Sequence, residues 1–260
     1  MKGFKTLIAV SLLSLAGVFI YNLPINEKNN EGVVESTSVV LGVPTQQEGI
    51  EIKIDERTFE AQFVVVDNAA DILLLPNFEE KQTSQELLER AGCRVLFNGG
   101  YYTPEGYPTG LFVTESKQLK KYINSSLSNA VYSINDFETP RITRLVPQDS
   151  LRVALQNGPL LIENDTPIKL GSKSIEEDRR VVVGITGNNE TVFVVIYDTT
   201  SVFLGPRLED LPRALEIFED TSEVDLADAM NLDGGTASAF ISQDLALREL
   251  SHIGSYFCIK

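Results

Sequence analysis

The chain has 260 residues, with 37 Asp and Glu against 22 Lys and Arg, and a formal net charge of -15. That balance disfavours nucleic acid, whose phosphates need clustered cations. Any phosphorylated ligand must instead be met by a few locally placed cations or backbone N–H groups. A single histidine, His252, excludes a multi-histidine metal site, and Cys93 and Cys258 lack metal-ligand spacing.

Lys2 and Lys5 precede an apolar run from Leu7 to Tyr21, broken only by Ser11, Ser14 and Gly17. A basic stretch followed by an apolar one has the order of an export signal. The run is shorter than the roughly 20 apolar residues of a membrane span, and no small-x-small cleavage site follows it. Residues 1–21 therefore read as a signal peptide or an N-terminal membrane anchor. Residues 22–49 are polar and read as a linker, which leaves residues 50–260 as one domain able to bury a core of its own. The expected location is outside the cytoplasm: periplasmic, cell-surface or secreted, and bound to the membrane through the N-terminal segment if it is uncleaved. In an oxidising compartment Cys93 and Cys258 either pair or stay as two buried thiols.

Along the domain, Ile50 to Ile54 alternates apolar and charged residues as a half-buried strand does. Phe59 to Val66 and Ile72 to Leu75 continue the strand pattern. Thr83 to Ala91 reads as a helix, with Thr83 as N-cap, Glu86 completing a capping box and Gly92 as the stop. Strands are expected at Arg94 to Phe97, Gly110 to Thr114, Ala130 to Ile134, Leu151 to Leu155 and Leu160 to Ile162. Val181 to Ile185 and Thr191 to Tyr197 flank the turn residues Gly187-Asn188-Asn189 and predict a hairpin. Leu208, Leu211, Leu215 and Phe218 recur at helical spacing, and Pro212 moves the true helix start to Asp210 or Leu211. Ala227 to Leu232 reads as a short buried segment arriving at an edge. Hairpins outnumber βαβ units, which predicts an α+β fold with a largely antiparallel or mixed sheet and a few packed helices.

Four segments share one design, in which a strand ends and small or polar residues follow. They are Asn98-Gly99-Gly100-Tyr101-Tyr102, Asn157-Gly158-Pro159-Leu160-Leu161, Arg180-Val181-Val182-Val183-Gly184 and Asn231-Leu232-Asp233-Gly234-Gly235. In the last, a carboxylate closes an apolar run and two glycines follow at once. Glycine permits positive φ and close approach to the main chain, and exposed N–H groups in such a turn can hold an anion. The same pattern also fits a plain tight turn capped by Asp233.

In order and spacing these segments resemble the phosphodiester glycosidase family, which includes the lysosomal uncovering enzyme that removes N-acetylglucosamine from a sugar-phosphate diester. The resemblance runs from about Phe63 to Ile259. The family's Asn-Gly-Gly-aromatic motif falls on Asn98 to Tyr102, its Gly-Pro-Leu-Leu on Gly158 to Leu161, and its Arg-x-x-x-Gly on Arg180 to Gly184. Its Asn-Leu-Asp-Gly-Gly-Gly-Ser-Ser signature falls on Asn231 to Ser238, with Thr236 in place of the third glycine and Ala237 in place of the first serine. Asp198-Thr199-Thr200 stands where the family often has Asp-Gly-Arg.

The resemblance implies hydrolysis of a glycosidic bond to phosphate, with a phosphorylated glycan or sugar phosphodiester as partner; the residues themselves carry no metal motif, and no cofactor or metal is expected. Asp233 is the expected general base or nucleophile. Arg180 offers a planar fork for phosphate, and Asn98 an amide for a sugar hydroxyl or phosphate oxygen. Gly99, Gly100, Gly158, Gly234, Gly235 and Ser238 are expected at the substrate, with Tyr101 or Tyr102 stacking on a sugar face. Arg179 is expected on the other side of its strand, in solvent. Asp67, Glu163 and Asp198 are candidates for a second carboxylate, and His252 is expected to be structural or on the surface. The rival reading is a non-catalytic module of the cell envelope that binds anionic glycans. Thr236 and the missing Asp-Gly-Arg favour it.

Overall fold

The computed structural model of the chain describes residues 49–171 and 175–260. The expected signal or anchor and nearly all of the expected linker lie outside the described residues. Among the described residues, no helix is long and apolar enough to cross a membrane.

The elements, in chain order, are β1 (Ile50–Ile54), β2 (Arg57–Val66), β3 (Ile72–Pro76), α1 (Ser84–Ala91), β4 (Val95–Asn98), β5 (Phe112–Thr114), β6 (Lys117–Lys120), β7 (Ala130–Asn135), β8 (Pro140–Thr143), β9 (Leu151–Asn157), β10 (Leu160–Glu163), β11 (Thr166–Pro167), β12 (Arg180–Thr186), β13 (Thr191–Asp198), α2 (Leu211–Ser222), β14 (Leu226–Asn231), β15 (Phe240–Ile241), β16 (Ala246–Leu247) and β17 (Ser255–Ile259). They form a seven-stranded sheet in the order β1-β2-β13-β12-β14-β10-β11 and two five-stranded sheets, β16-β15-β4-β17-β3 and β6-β5-β9-β7-β8. Every pairing between these strands is antiparallel. With two α-helices beside them, this is the α+β, largely antiparallel fold expected from the sequence.

Local chemistry explains the helices. Thr83 Oγ1 accepts from the Glu86 N–H while the Glu86 carboxylate accepts from the Thr83 N–H, so two otherwise unpaired donors at the start of α1 are satisfied reciprocally. Gly92 then ends the helix at φ 61°, which a residue without Cβ adopts at little cost. A 3-10 turn over Leu208–Asp210 leads into α2, and Pro212 sits in its first turn, where its missing N–H costs nothing.

The main core cluster draws apolar side chains from all three sheets, including Phe97, Phe112, Tyr132, Phe193, Phe240 and Phe257. A second cluster lies between the seven-stranded sheet and α2, through Leu211, Ala214, Leu215 and Phe218. Cys93 and Cys258 are bonded to each other across 165 residues of sequence, which settles the pairing that the sequence left open.

Register brings the motifs to one end of the molecule. β12 and β14 run antiparallel with Val182 opposite Asn231, so the first residue of β12, Arg180, neighbours the chain leaving β14, where Asp233 lies. From a different sheet, β4 ends at Asn98, and the Asp233 N–H donates to the Gly99 carbonyl at 3.1 Å. β9, in the third sheet, ends at Asn157, whose side chain donates to the Asn231 carbonyl at 3.0 Å.

Candidate active site

The four sequence motifs meet around Asp233 and Tyr101. Asn98 Nδ2 donates to the Asp233 carbonyl at 2.7 Å, and the Tyr101 N–H donates to Asn157 Oδ1 at 2.9 Å. The Tyr101 hydroxyl donates to the Gly158 carbonyl at 2.8 Å and accepts from Asn231 Nδ2 at 3.1 Å. Tyr101 is thereby pinned at both its backbone and its hydroxyl.

Asp233 is half-buried. Burial raises its carboxyl to about 7, against the opposing effect of the Gly234 N–H, which donates to Oδ1 at 3.0 Å. A carboxylate that exchanges its proton near neutrality suits acid–base work. Tyr101 is pushed up to about 12, first by burial and then by the Asp233 carboxylate, while Arg180 acts in the opposite direction. Tyr102 is also raised by burial, with a smaller contribution from Asp233. The Tyr101 hydroxyl therefore lies within electrostatic reach of both the acid and the cation.

Arg180 is 6% exposed. Its Nε donates to the Pro206 carbonyl at 3.0 Å and its Nη2 to the Glu176 carbonyl at 2.8 Å. Burial lowers its pKa, and Asp178, Tyr101 and Glu176 oppose that shift. Its Nη1 makes no hydrogen bond among the described residues and lies beside Gly234, where an added Cβ would stand 3.4 Å from it. Two N–H donors of a nearly buried guanidinium are thus left for a ligand.

Several expected substrate contacts are turned inward instead. Asn98 is 1% exposed, and every polar position of its amide is used: Nδ2 donates to the Asp233 and Gly99 carbonyls, and Oδ1 accepts from the Ala239 N–H. Its two N–H donors are spent within the protein, and it holds the Asp233 backbone in place. Ser238 is fully buried, its hydroxyl donating to the Gly235 carbonyl and accepting from Arg179 Nε. Gly99 and Gly100 admit protein rather than ligand, since a Cβ on Gly99 would strike Ser255 and one on Gly100 would lie 3.0 Å from Asn157 Oδ1. Gly158 is buried, and its carbonyl receives Tyr101 and Asn231. The expected anion cradle at Gly234 and Gly235 is also occupied. The first N–H binds Asp233 Oδ1 and the second binds the Arg179 carbonyl at 3.0 Å.

Arg179 is not in solvent but fully buried. Its guanidinium donates to Ser238 Oγ and to the Ser238, Val202 and Arg248 carbonyls. Burial lowers it to about 10, with Glu249 opposing. Arg179 therefore clamps the far side of the turn that carries Asp233. None of the expected second carboxylates reaches the site. Asp198 is bound by Arg57 and Thr200, which together hold it at about 2. Glu163 forms a two-pronged pair with Arg144, and Asp67 is exposed just beyond β2. The carboxylate that does approach is Asp178, 3.8 Å from Arg180 Nη2. His252 packs its ring 5.2 Å from that of Tyr102 and receives the Tyr102 hydroxyl on its carbonyl.

A groove of about 670 Å³ lies at the opposite ends of β12 and β14, against Arg141, Arg144, Glu163, Thr186 and Asp228, and does not include Asp233. Among the described residues, no three His, Cys, Asp or Glu side chains gather in a metal-binding group.

A family model described as phosphodiester glycosidase matches residues 91–254. The chain belongs to the phosphodiester glycosidase family. The match contains Asn98, Tyr101, Asn157, Arg180 and Asp233. Comparison with curated proteins finds no match. Among solved structures, this phosphodiester glycosidase domain is similar to the zebrafish N-acetylglucosamine-1-phosphodiester alpha-N-acetylglucosaminidase catalytic domain auto-inhibited by pro-peptide. That likeness has a TM-score of 0.63 at 15% identity, over 82% of this chain and 81% of that one. It is also similar to a hypothetical protein from Synechocystis, with a TM-score of 0.54 at 12% identity, over 82% of this chain and 61% of that one. At these identities the likenesses establish the shared fold.

Proposed function

We propose that this phosphodiester glycosidase domain is an exported hydrolase that cleaves the bond between a sugar's anomeric carbon and a phosphate oxygen in a sugar phosphodiester or envelope glycoconjugate. The observation that carries this reading is the placement of Asp233, a carboxylate raised to about 7, directly before Gly234, beside which lies Arg180 Nη1 with no hydrogen bond among the described residues. Export is supported by the order of charge and hydropathy in residues 1–21 and by the Cys93–Cys258 bond, since disulfides persist in oxidising compartments.

Phosphate is a good leaving group, so the barrier lies in the oxocarbenium-like centre and in positioning the nucleophile. Arg180 Nη1 binds the phosphate and stabilises the charge that gathers on it as the carbon–oxygen bond breaks. Asp233 takes a proton from the attacking water. Tyr101, fixed at both ends, presents its ring to the sugar. Asn98 and Arg179 contact no substrate and keep Asp233 in position.

A base with this pKa predicts that kcat/KM rises as pH passes upward through about 7, because Asp233 must lose its proton to act. The test is hydrolysis of a panel of sugar 1-phosphodiesters between pH 5 and 9. Turnover with that rising limb supports the reading. Saturable binding with no turnover on any member supports the glycan-binding module instead.

A further inference from the structure

Arg180 contrasts with two closely paired arginines of this protein. Arg57 meets Asp198 at 2.7 Å and Arg144 meets Glu163 at 2.7 Å, both as hydrogen-bonded ion pairs. Arg180 is the more deeply buried cation, its side chain 7% exposed, yet its carboxylate partner Asp178 stands off at 3.8 Å and is itself 35% exposed. The strong bonds of Arg180 go to the neutral carbonyls of Pro206 and Glu176. The Asp178 carboxylate also lies against Gly235, where an added Cβ would be 3.3 Å away. Asp178 is therefore placed to act on whatever Arg180 holds without locking Arg180 itself.

Resting on the reading of Arg180 as the phosphate ligand, we propose that Asp178 sets the charge specificity of the site, admitting a monoanionic phosphodiester while weakening the hold on a dianionic phosphomonoester. The reaction makes this distinction matter. Water adds its oxygen to the anomeric carbon, the bond from that carbon to the phosphate oxygen breaks, and the phosphate leaves as a monoester that has gained a proton. With a second pKa of about 6, that monoester loses the proton to solvent and carries two charges at neutral pH. Coulomb attraction grows with ligand charge, so Arg180 alone favours product over substrate. A fixed carboxylate beside Arg180 repels the dianion twice as strongly as the monoanion and offsets that preference. Asp178 thereby eases product release.

The test measures binding of methyl phosphate and dimethyl phosphate to the full chain at pH 8 by calorimetry, with Asp178→Asn and Arg180→Gln beside the parent. Asp178→Asn is expected to tighten methyl phosphate about fivefold and dimethyl phosphate only about twofold. Arg180→Gln is expected to abolish binding of both. Equal tightening of the two ligands, no tightening, or weaker binding in Asp178→Asn would overturn the role of Asp178 while leaving Arg180 as the phosphate ligand. Failure of the parent to bind either ligand, or unchanged binding in Arg180→Gln, would overturn both readings together.

Discussion

Asp233→Asn is expected to lower kcat by about 10²- to 10⁴-fold, the range for loss of a positioned acid–base group, and to make the protein more stable in mild alkali. The two effects share one cause. Burial raises the Asp233 carboxyl from 3.8 to about 7 in the folded state. The native chain therefore holds this proton more tightly than the unfolded chain does. The stability that goes with the proton is fully present below the unfolded value and is lost as pH rises through about 7. Asparagine keeps a similar shape and an acceptor for the Gly234 N–H but cannot ionise. Above pH 8 the variant should exceed the parent by about 2 to 4 kcal/mol, and near pH 4 the two should be alike. Denaturant unfolding at both pH values reads this directly. Equal stability at pH 8 would show that burial does not raise the Asp233 carboxyl.

The second large effect is expected at Arg179. Its guanidinium supplies hydrogen bonds to three carbonyls, those of Val202, Ser238 and Arg248, and to the Ser238 hydroxyl. The Arg179 carbonyl in turn receives the Gly235 N–H. Arg179→Ala strands these acceptors in a buried space and opens a cavity, so a loss of about 4 kcal/mol or more is expected. Thermal unfolding should register it as a fall in Tm of about 10 °C. Arg179→Lys should recover only part, because one ammonium cannot reproduce a planar fork that addresses separate acceptors. If Arg179→Ala unfolds like the parent, the clamp has no energetic weight.

The contrast between the two arginines marks the limit of what local sequence conveys. Neighbouring strand residues point to opposite sides, and from that rule Arg179 was expected in solvent. Yet the side it faces is covered by the turn after β13 and by the segment around Arg248, and no local pattern announces that cover. Asn98 and Ser238 follow the same logic. Their motif positions were legible, but their partners Ala239, Asp233 and Arg179 are supplied by distant parts of the chain.

Features set by adjacent residues were legible. The capping box at Thr83 and Glu86, the stop at Gly92, the hairpin of β12 and β13, and the start of α2 beside Pro212 all formed as the sequence implied. Around Cys258 the sequence is apolar and strand-like but gives no bounds, because Ser255–Ile259 is buried on both faces between β3 and β4, which removes the alternation that marks a half-exposed strand. The convergence of the motif ends was implied by the family resemblance, and the antiparallel register of β12 and β14 gives its physical basis.

The measurement closest to the central claim is hydrolysis of a sugar 1-phosphodiester in ¹⁸O-enriched water, followed by phosphorus NMR of the released phosphomonoester. Attack at the anomeric carbon predicts a phosphomonoester free of solvent oxygen, with its formation slowed about 10²- to 10⁴-fold in Asp233→Asn. Solvent ¹⁸O in the phosphomonoester would place the cleavage at phosphorus and contradict the account.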